Sequence, residues 1–139
     1  MSALPSGFTI RRATDREVEK IVSDPTLVKK LGADVDYTAN YWLCMYLDYV
    51  LLFKFWQVEE GMYEVHIAVP RASIVASRAL ILGGLNWLFS VGAPDCDLLQ
   101  TTCPLGKISN MLRKLGWTNV TAVGTELQTF LFTKSQLLI

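Results

Sequence analysis

At 139 residues, 51% of them hydrophobic and 19% charged, the chain is long enough for one domain with a buried core and too apolar to stay disordered. Thirteen basic residues balance 13 acidic ones, so no net field draws in nucleic acid or an anionic membrane. Three cysteines without CxxC spacing and a single histidine supply no zinc set, and buried thiols in a reducing compartment are expected instead.

The opening MSALPSGFTIRRATD lacks the basic-then-apolar pattern of a signal sequence, which predicts a cytoplasmic protein. Phe8 to Ala13 alternates well enough for a first strand. Thr14 and Glu17, three residues apart, make a capping box for a helix whose apolar face is Val18, Ile21 and Val22, ended by Asp24-Pro25. A second short helix, Thr26 to Leu31, would stop at Gly32.

After a polar link, Ala33 to Asn40, the segment Tyr41 to Glu59 is dense in aromatic and β-branched residues: Trp42, Tyr46, Tyr49, Val50, Phe53, Phe55, Trp56 and Val58. With Asp48-Tyr49 as its one turn-like point, it reads as two antiparallel strands, the second leading through Glu59-Glu60-Gly61 into a third. Alternation on a half-buried sheet assigns these aromatics to the core rather than to a ligand cage.

The third strand, Tyr63 to Val69, puts Tyr63, Val65, Ile67 and Val69 on one side and Glu64 and His66 on the other. Pro70 cannot continue the ladder, and the stretch to Val91 reads as a long apolar helix interrupted by Ser77, Arg78 and Asn86. Such a strand-turn-helix sets unpaired helix N–H groups beyond the carboxyl end of a strand, where anionic ligands bind. The apolar run after Arg78 is shorter than the roughly 18 to 20 residues a bilayer needs, and Gly83-Gly84 weaken it, so no membrane span is expected.

Gly92-Ala93-Pro94 breaks the helix, and Asp97 to Thr102 returns as a strand parallel to the third. Leu105 to Leu115 is a further helix ending at Gly116, with Lys107, Arg113 and Lys114 on its exposed side. Val120 to Val123 and Glu126 to Thr133, joined through Gly124, read as a closing hairpin whose edge at Glu126 to Thr133 is open to another chain. The whole, residues 1–139, is expected to be one α+β domain with a mixed sheet.

The order β-α-α-β-β-β-α-β-α-β-β resembles that of the Gcn5-related N-acetyltransferase (GNAT) superfamily over nearly the whole chain. Two segments sharpen the likeness: Val69-Pro70 feeding a long helix, and Met111-Leu112-Arg113-Lys114-Leu115-Gly116-Trp117, similar to the family's helix running into Lys-Leu-Gly-Phe. The resemblance implies a GNAT-like acyl-CoA N-acyltransferase fold in which a glycine-rich turn wraps the pyrophosphate of acetyl-CoA, since a Cβ there blocks close approach. Here that turn, Arg71 to Arg78, contains no glycine. The cofactor positions it implies are Ile67, Val69, Arg71, Ala72, Ser73, Ala76, Ser77 and Arg78, a degenerate cradle of small residues with two arginines.

Counting back from Gly116, the tyrosine that in the family protonates the departing thiolate falls on Leu112, and the asparagine opening that helix falls on Leu105. Neither leucine moves a proton. A general base, if the site is active, is Glu64 or His66 acting through water; the other reading of this pair is a polar strand face meeting solvent.

Within the superfamily the chain is similar to GNAT-like proteins of short-tailed phages associated with head or virion assembly. The features are His66-Ile67-Ala68-Val69-Pro70-Arg71 without glycines, the Asp24-Pro25 break, and a length that leaves no appended domain. This resemblance implies a fold kept after its cofactor site decayed. It would hold no cofactor, bind other virion or assembly proteins, contact neither nucleic acid nor membrane, and work in the cytoplasm of the infected host cell. The alternative is an active acetyl-CoA-dependent N-acetyltransferase. A nucleic-acid module would have to use Arg11-Arg12, Lys29-Lys30 or Lys107 with Arg113 and Lys114, clusters that read as solvated faces.

Overall fold

The computed structural model describes residues 7–25, 41–68, 74–104 and 106–137. The short helix expected at Thr26–Leu31 and the link Ala33–Asn40 lie outside these residues, as does the turn at 69–73.

Strand β1 (Thr9–Arg12) leads into helix α1 (Asp15–Val22) through the expected capping box. Glu17 N–H donates to Thr14 Oγ1 at 3.2 Å and Thr14 N–H donates to Glu17 Oε1 at 2.9 Å, which satisfies two donors a helix start otherwise leaves open. Arg11 on β1 then donates to both Glu17 carboxylate oxygens, at 2.6 and 2.7 Å. The Arg11 hydrogen bonds, followed by those from Thr14, hold the Glu17 carboxyl down at about 2.

Strands β2 (Tyr41–Tyr46) and β3 (Tyr49–Glu59) form an antiparallel hairpin in register from Tyr41↔Lys54 to Tyr46↔Tyr49. The turn is Leu47-Asp48, one residue earlier than the Asp48-Tyr49 expected. Pairing Tyr46 with Tyr49 keeps Leu43 opposite Leu52 on the face where Tyr41, Ala13, Val18 and Val50 also pack. The register is thus decided by the core face, and Leu47 is left exposed in the left-handed region at φ 56°. The aromatics divide: Tyr41 and Phe53 are buried, as expected of a core, whereas Trp56 is exposed.

Strand β4 (Met62–Ala68) follows the tight turn at Gly61 and precedes helix α2 (Ile74–Trp87). A Cβ at Gly83 would lie 2.4 Å from the Phe8 ring, and one at Gly84 would lie 3.5 Å from Cys44 Sγ. The glycine pair that weakens the helix in isolation therefore provides its seat on the neighbouring side chains. The helix ends in a π-helical turn (Leu88–Gly92), closed by Ala93 N–H donating to Leu88 O at 2.7 Å.

Strand β5 (Leu98–Pro104) runs parallel to β4, pairing Met62, Tyr63 and Glu64 with Leu98, Leu99 and Gln100, as the intervening helix requires. Helix α3 (Lys107–Lys114) ends at Gly116, whose φ of 96° is the left-handed stop expected. Strands β6 (Thr118–Asn119) and β7 (Leu127–Thr133) are antiparallel, and a last helical turn, α4 (Lys134–Leu137), follows.

The closing hairpin differs from expectation in two ways. Its first strand is Thr118–Asn119 rather than Val120 to Val123, because Asn119 Oδ1 accepts Thr121 N–H and Thr121 Oγ1 takes the Thr129 N–H that a backbone carbonyl would otherwise hold. Strand β7 pairs β5 along its whole length and β6 on its other side, so Glu126 to Thr133 is not the sheet edge. The sheet order is β1-β2-β3-β4-β5-β7-β6.

By packing, the chain divides into two compact units. One contains Leu4–Phe55 and His66–Gly84, and the other contains Trp56–Val65 and Leu85–Ile139 with Met1–Ala3. The core of the first is the Tyr41, Leu43 and Leu52 cluster. In the second, Phe132 sits between Trp117 (ring centroids 5.1 Å apart) and Phe89 (6.2 Å). Among the described residues no helix is long and apolar enough to cross a membrane.

Candidate functional site

In the unit formed by Trp56–Val65 and Leu85–Ile139, strand alternation separates two faces of β4, β5 and β7. Leu99, Phe130 and Phe132 are buried on one. Met62, Glu64, Leu98, Gln100, Thr102, Thr129 and Leu131 occupy the other, every one of them half-buried. A face neither sealed in the core nor given wholly to solvent is where a chemical group can be both positioned and reached.

Glu64 lies on its β4 side. It stands directly opposite Gln100 in the β4–β5 ladder, and Gln100 Nε2 donates to Glu64 Oε1 at 2.9 Å. The donor is a neutral amide, and the bond fixes the direction of the carboxylate oxygen it meets. Gln100 has no sequence signal of its own: a polar residue within a strand acquires this role only once the parallel register sets it across from Glu64.

Tyr63, on the opposite side of β4 from Glu64, donates its hydroxyl to both Asp95 carboxylate oxygens, at 3.0 and 3.3 Å. Desolvation, and then the hydrogen bond to that carboxylate, push the phenol above its ordinary value, so it stays protonated. Lys134 Nζ donates to Pro94 O at 3.0 Å, which pins the same loop to the end of β7. Cys96 is buried with its thiol donating to Leu98 O. Cys103 is half-buried on β5, its pKa raised by burial and pulled partly back by Arg113.

The other residues named from the sequence are placed as follows. His66 shares a side of β4 with Glu64 by alternation and is half-buried, as is Ile67. Ala76 and Ser77 are buried on α2, and Arg78 is exposed. Val69, Arg71, Ala72, Ser73 and Leu105 lie outside the described residues. Leu112 is 1% exposed on α3, and the Trp117 N–H donates to its carbonyl at 3.0 Å. Among the described residues no group of three or more His, Cys, Asp or Glu is placed to hold a metal ion.

No family model matches the chain, and no curated protein does. Solved structures do match. A spermidine N-acetyltransferase from Vibrio cholerae, in complex with CoA and spermine, superposes with a TM-score of 0.72 at 10% identity, covering 97% of this chain and 100% of that one. The aminoglycoside acetyltransferase AAC(6')-Ib in complex with coenzyme A gives 0.65 at 14% identity, covering 94% and 97%. A GNAT-family acetyltransferase from Bacillus anthracis gives 0.65 at 12%, covering 94% and 96%. These likenesses span nearly all of each chain, and the fold is that of the GNAT acyl-CoA N-acyltransferases: mixed α+β on a seven-stranded mixed sheet.

Proposed function

We propose that this chain is a GNAT-fold protein that has left acetyl transfer behind and works through protein contacts, as a head or virion assembly factor of a short-tailed phage. The observation that carries the reading is Leu112. The resemblance places the thiol-protonating tyrosine there, and the structure has a fully buried hydrocarbon side chain packed in the core. A leucine does not fit the acid's role in acetyl-CoA chemistry.

The absence of glycine between Arg71 and Arg78 supports the same reading, as do the buried Ala76 and Ser77 side chains. The phage assignment is supported by the His66 to Arg71 segment and the Asp24-Pro25 break. Its partners would be other virion or assembly proteins in the cytoplasm of the infected cell.

A second reading has its own support. The solved neighbours include acetyltransferases in complex with CoA, and Gln100 holds Glu64, the residue that on this reading would take a proton from an amine through water. Isothermal titration with acetyl-CoA and with CoA separates the two. No heat up to millimolar ligand is expected. Micromolar binding, about −8 kcal/mol, together with steady acetyl transfer would overturn the contact reading in favour of the enzyme.

A further inference from the structure

We propose that the end of the β6–β7 hairpin, where Val120, Val123 and Leu127 stand at the surface, seats a second copy of this chain in a twofold dimer. The inference goes beyond the contact reading above and holds whether or not the chain transfers acetyl groups.

Seven large apolar residues are exposed among the described ones, and three of them fall within the eight residues from Val120 to Leu127. Val120 is 47% exposed, Leu127 is 51% exposed and Val123 is wholly so. The register that pairs Thr118 with Leu131 and Asn119 with Phe130 carries on to Val120, whose N–H donates to Thr129 O at 2.9 Å. Leu127 lies two positions before Thr129, so Val120 and Leu127 occupy one face of the hairpin, with Val123 at the tip beyond them.

The hairpin is braced before anything binds. Thr125 N–H donates to Ala122 O at 3.3 Å and closes the turn over Val123-Gly124. Behind it, Asn119 Oδ1 accepts Thr121 N–H at 2.9 Å, Asn119 Nδ2 donates to Gln128 Oε1 at 3.0 Å, and Thr121 Oγ1 accepts Thr129 N–H at 2.9 Å. A backbone fixed this way loses little freedom on contact, so more of what three aliphatic side chains gain by burial remains as affinity.

Charge and area choose the occupant. Between Thr118 and Thr133 the one charged residue is Glu126. A surface this nearly neutral neither selects a charged partner nor repels its own copy, and a twofold interface requires only that one patch complement itself. The three side chains expose roughly 300 Å² of aliphatic surface, the size at which a patch marks a contact site. Doubled by the twofold axis and extended by the exposed Thr118, Asn119, Ala122 and Thr125, it approaches the roughly 1,200 Å² at which stable interfaces begin.

Sedimentation velocity of the full chain, over concentrations from micromolar to millimolar, tests this. A concentration-dependent dimer is expected. Val123→Lys should weaken it at least tenfold, and the double variant Val120→Lys, Val123→Lys further still, because each substitution puts a cation into both halves of the interface. Leu47→Lys, at an exposed apolar residue of the β2–β3 turn, should leave the dimer unchanged, and circular dichroism confirms that each variant is folded. A monomer at every concentration, a dimer indifferent to both hairpin variants, or a dimer lost equally in Leu47→Lys would overturn the proposal. The first of these outcomes would assign the hairpin to a different protein.

Discussion

Gly83 and Gly84 are neighbours on one helix, and the structure predicts opposite outcomes when each is replaced by alanine. Removing a glycine from a helix interior stabilises by about 1 kcal/mol, because the unfolded chain loses backbone freedom it would otherwise recover. At Gly84 no described residue opposes that gain: the new methyl meets Cys44 Sγ at 3.5 Å, an ordinary contact. At Gly83 three atoms of the Phe8 ring lie 2.4 to 2.6 Å from the new carbon, so the ring must move by more than an ångström or leave its place. Overpacking of that kind costs about 1 to 3 kcal/mol. The net expectation is Gly84→Ala more stable by about 1 kcal/mol and Gly83→Ala unchanged to about 2 kcal/mol less stable. The two variants then differ by about 1 to 3 kcal/mol, which moves Tm by about 4 °C per kcal/mol in a chain of this size. Urea unfolding followed by circular dichroism measures both midpoints. If Gly83→Ala proved as stable as Gly84→Ala, Phe8 would not be seated on this helix and the account of the glycine pair would be wrong.

The capping box gives a second expectation: Thr14→Ala should cost about 1 kcal/mol by chemical denaturation, and no loss would mean that the cap is unimportant. Glu17, with its folded pKa lowered to about 2, contributes stability that is complete above its ordinary value of 4.5 and is lost as pH falls from there through about 2. Acid titration of stability should therefore lose part of its slope in Glu17→Gln, and identical slopes in the two proteins would remove the Arg11 pairing as its cause. Burial pushes the Cys44 thiol up to about 12 and raises that of the equally buried Cys96, leaving half-buried Cys103 the accessible one. Native-state alkylation should label one cysteine per chain and denatured protein all three, whereas rapid labelling of all three without denaturant would refute the described packing.

Local chemistry was legible wherever one short segment contained its own reason. Thr14 with Glu17 announced α1, and Gly116 announced the end of α3. The same holds for Leu112: a hydrocarbon side chain there excludes a proton donor in whatever fold surrounds it. Sheet direction was legible too, because a helix between two strands leaves only a parallel return for β5.

What the sequence could not contain was any fact depending on two distant segments at once. The β2–β3 turn came one residue early because Leu43 and Leu52 had to meet in the core, and no local property of Asp48 or Tyr49 reports that. Thr121 took the place of a backbone acceptor and shortened β6, and β7 slipped between β5 and β6 so that the expected edge became interior. Gln100 met Glu64 only through the register of a parallel ladder, and Trp56 was excluded from a core that its neighbours on β3 entered. Propensity and capping act over a few adjacent residues and can be read along the chain. Register and exposure follow from which side chains fill a shared volume, and the chain has to be folded for that to be decided.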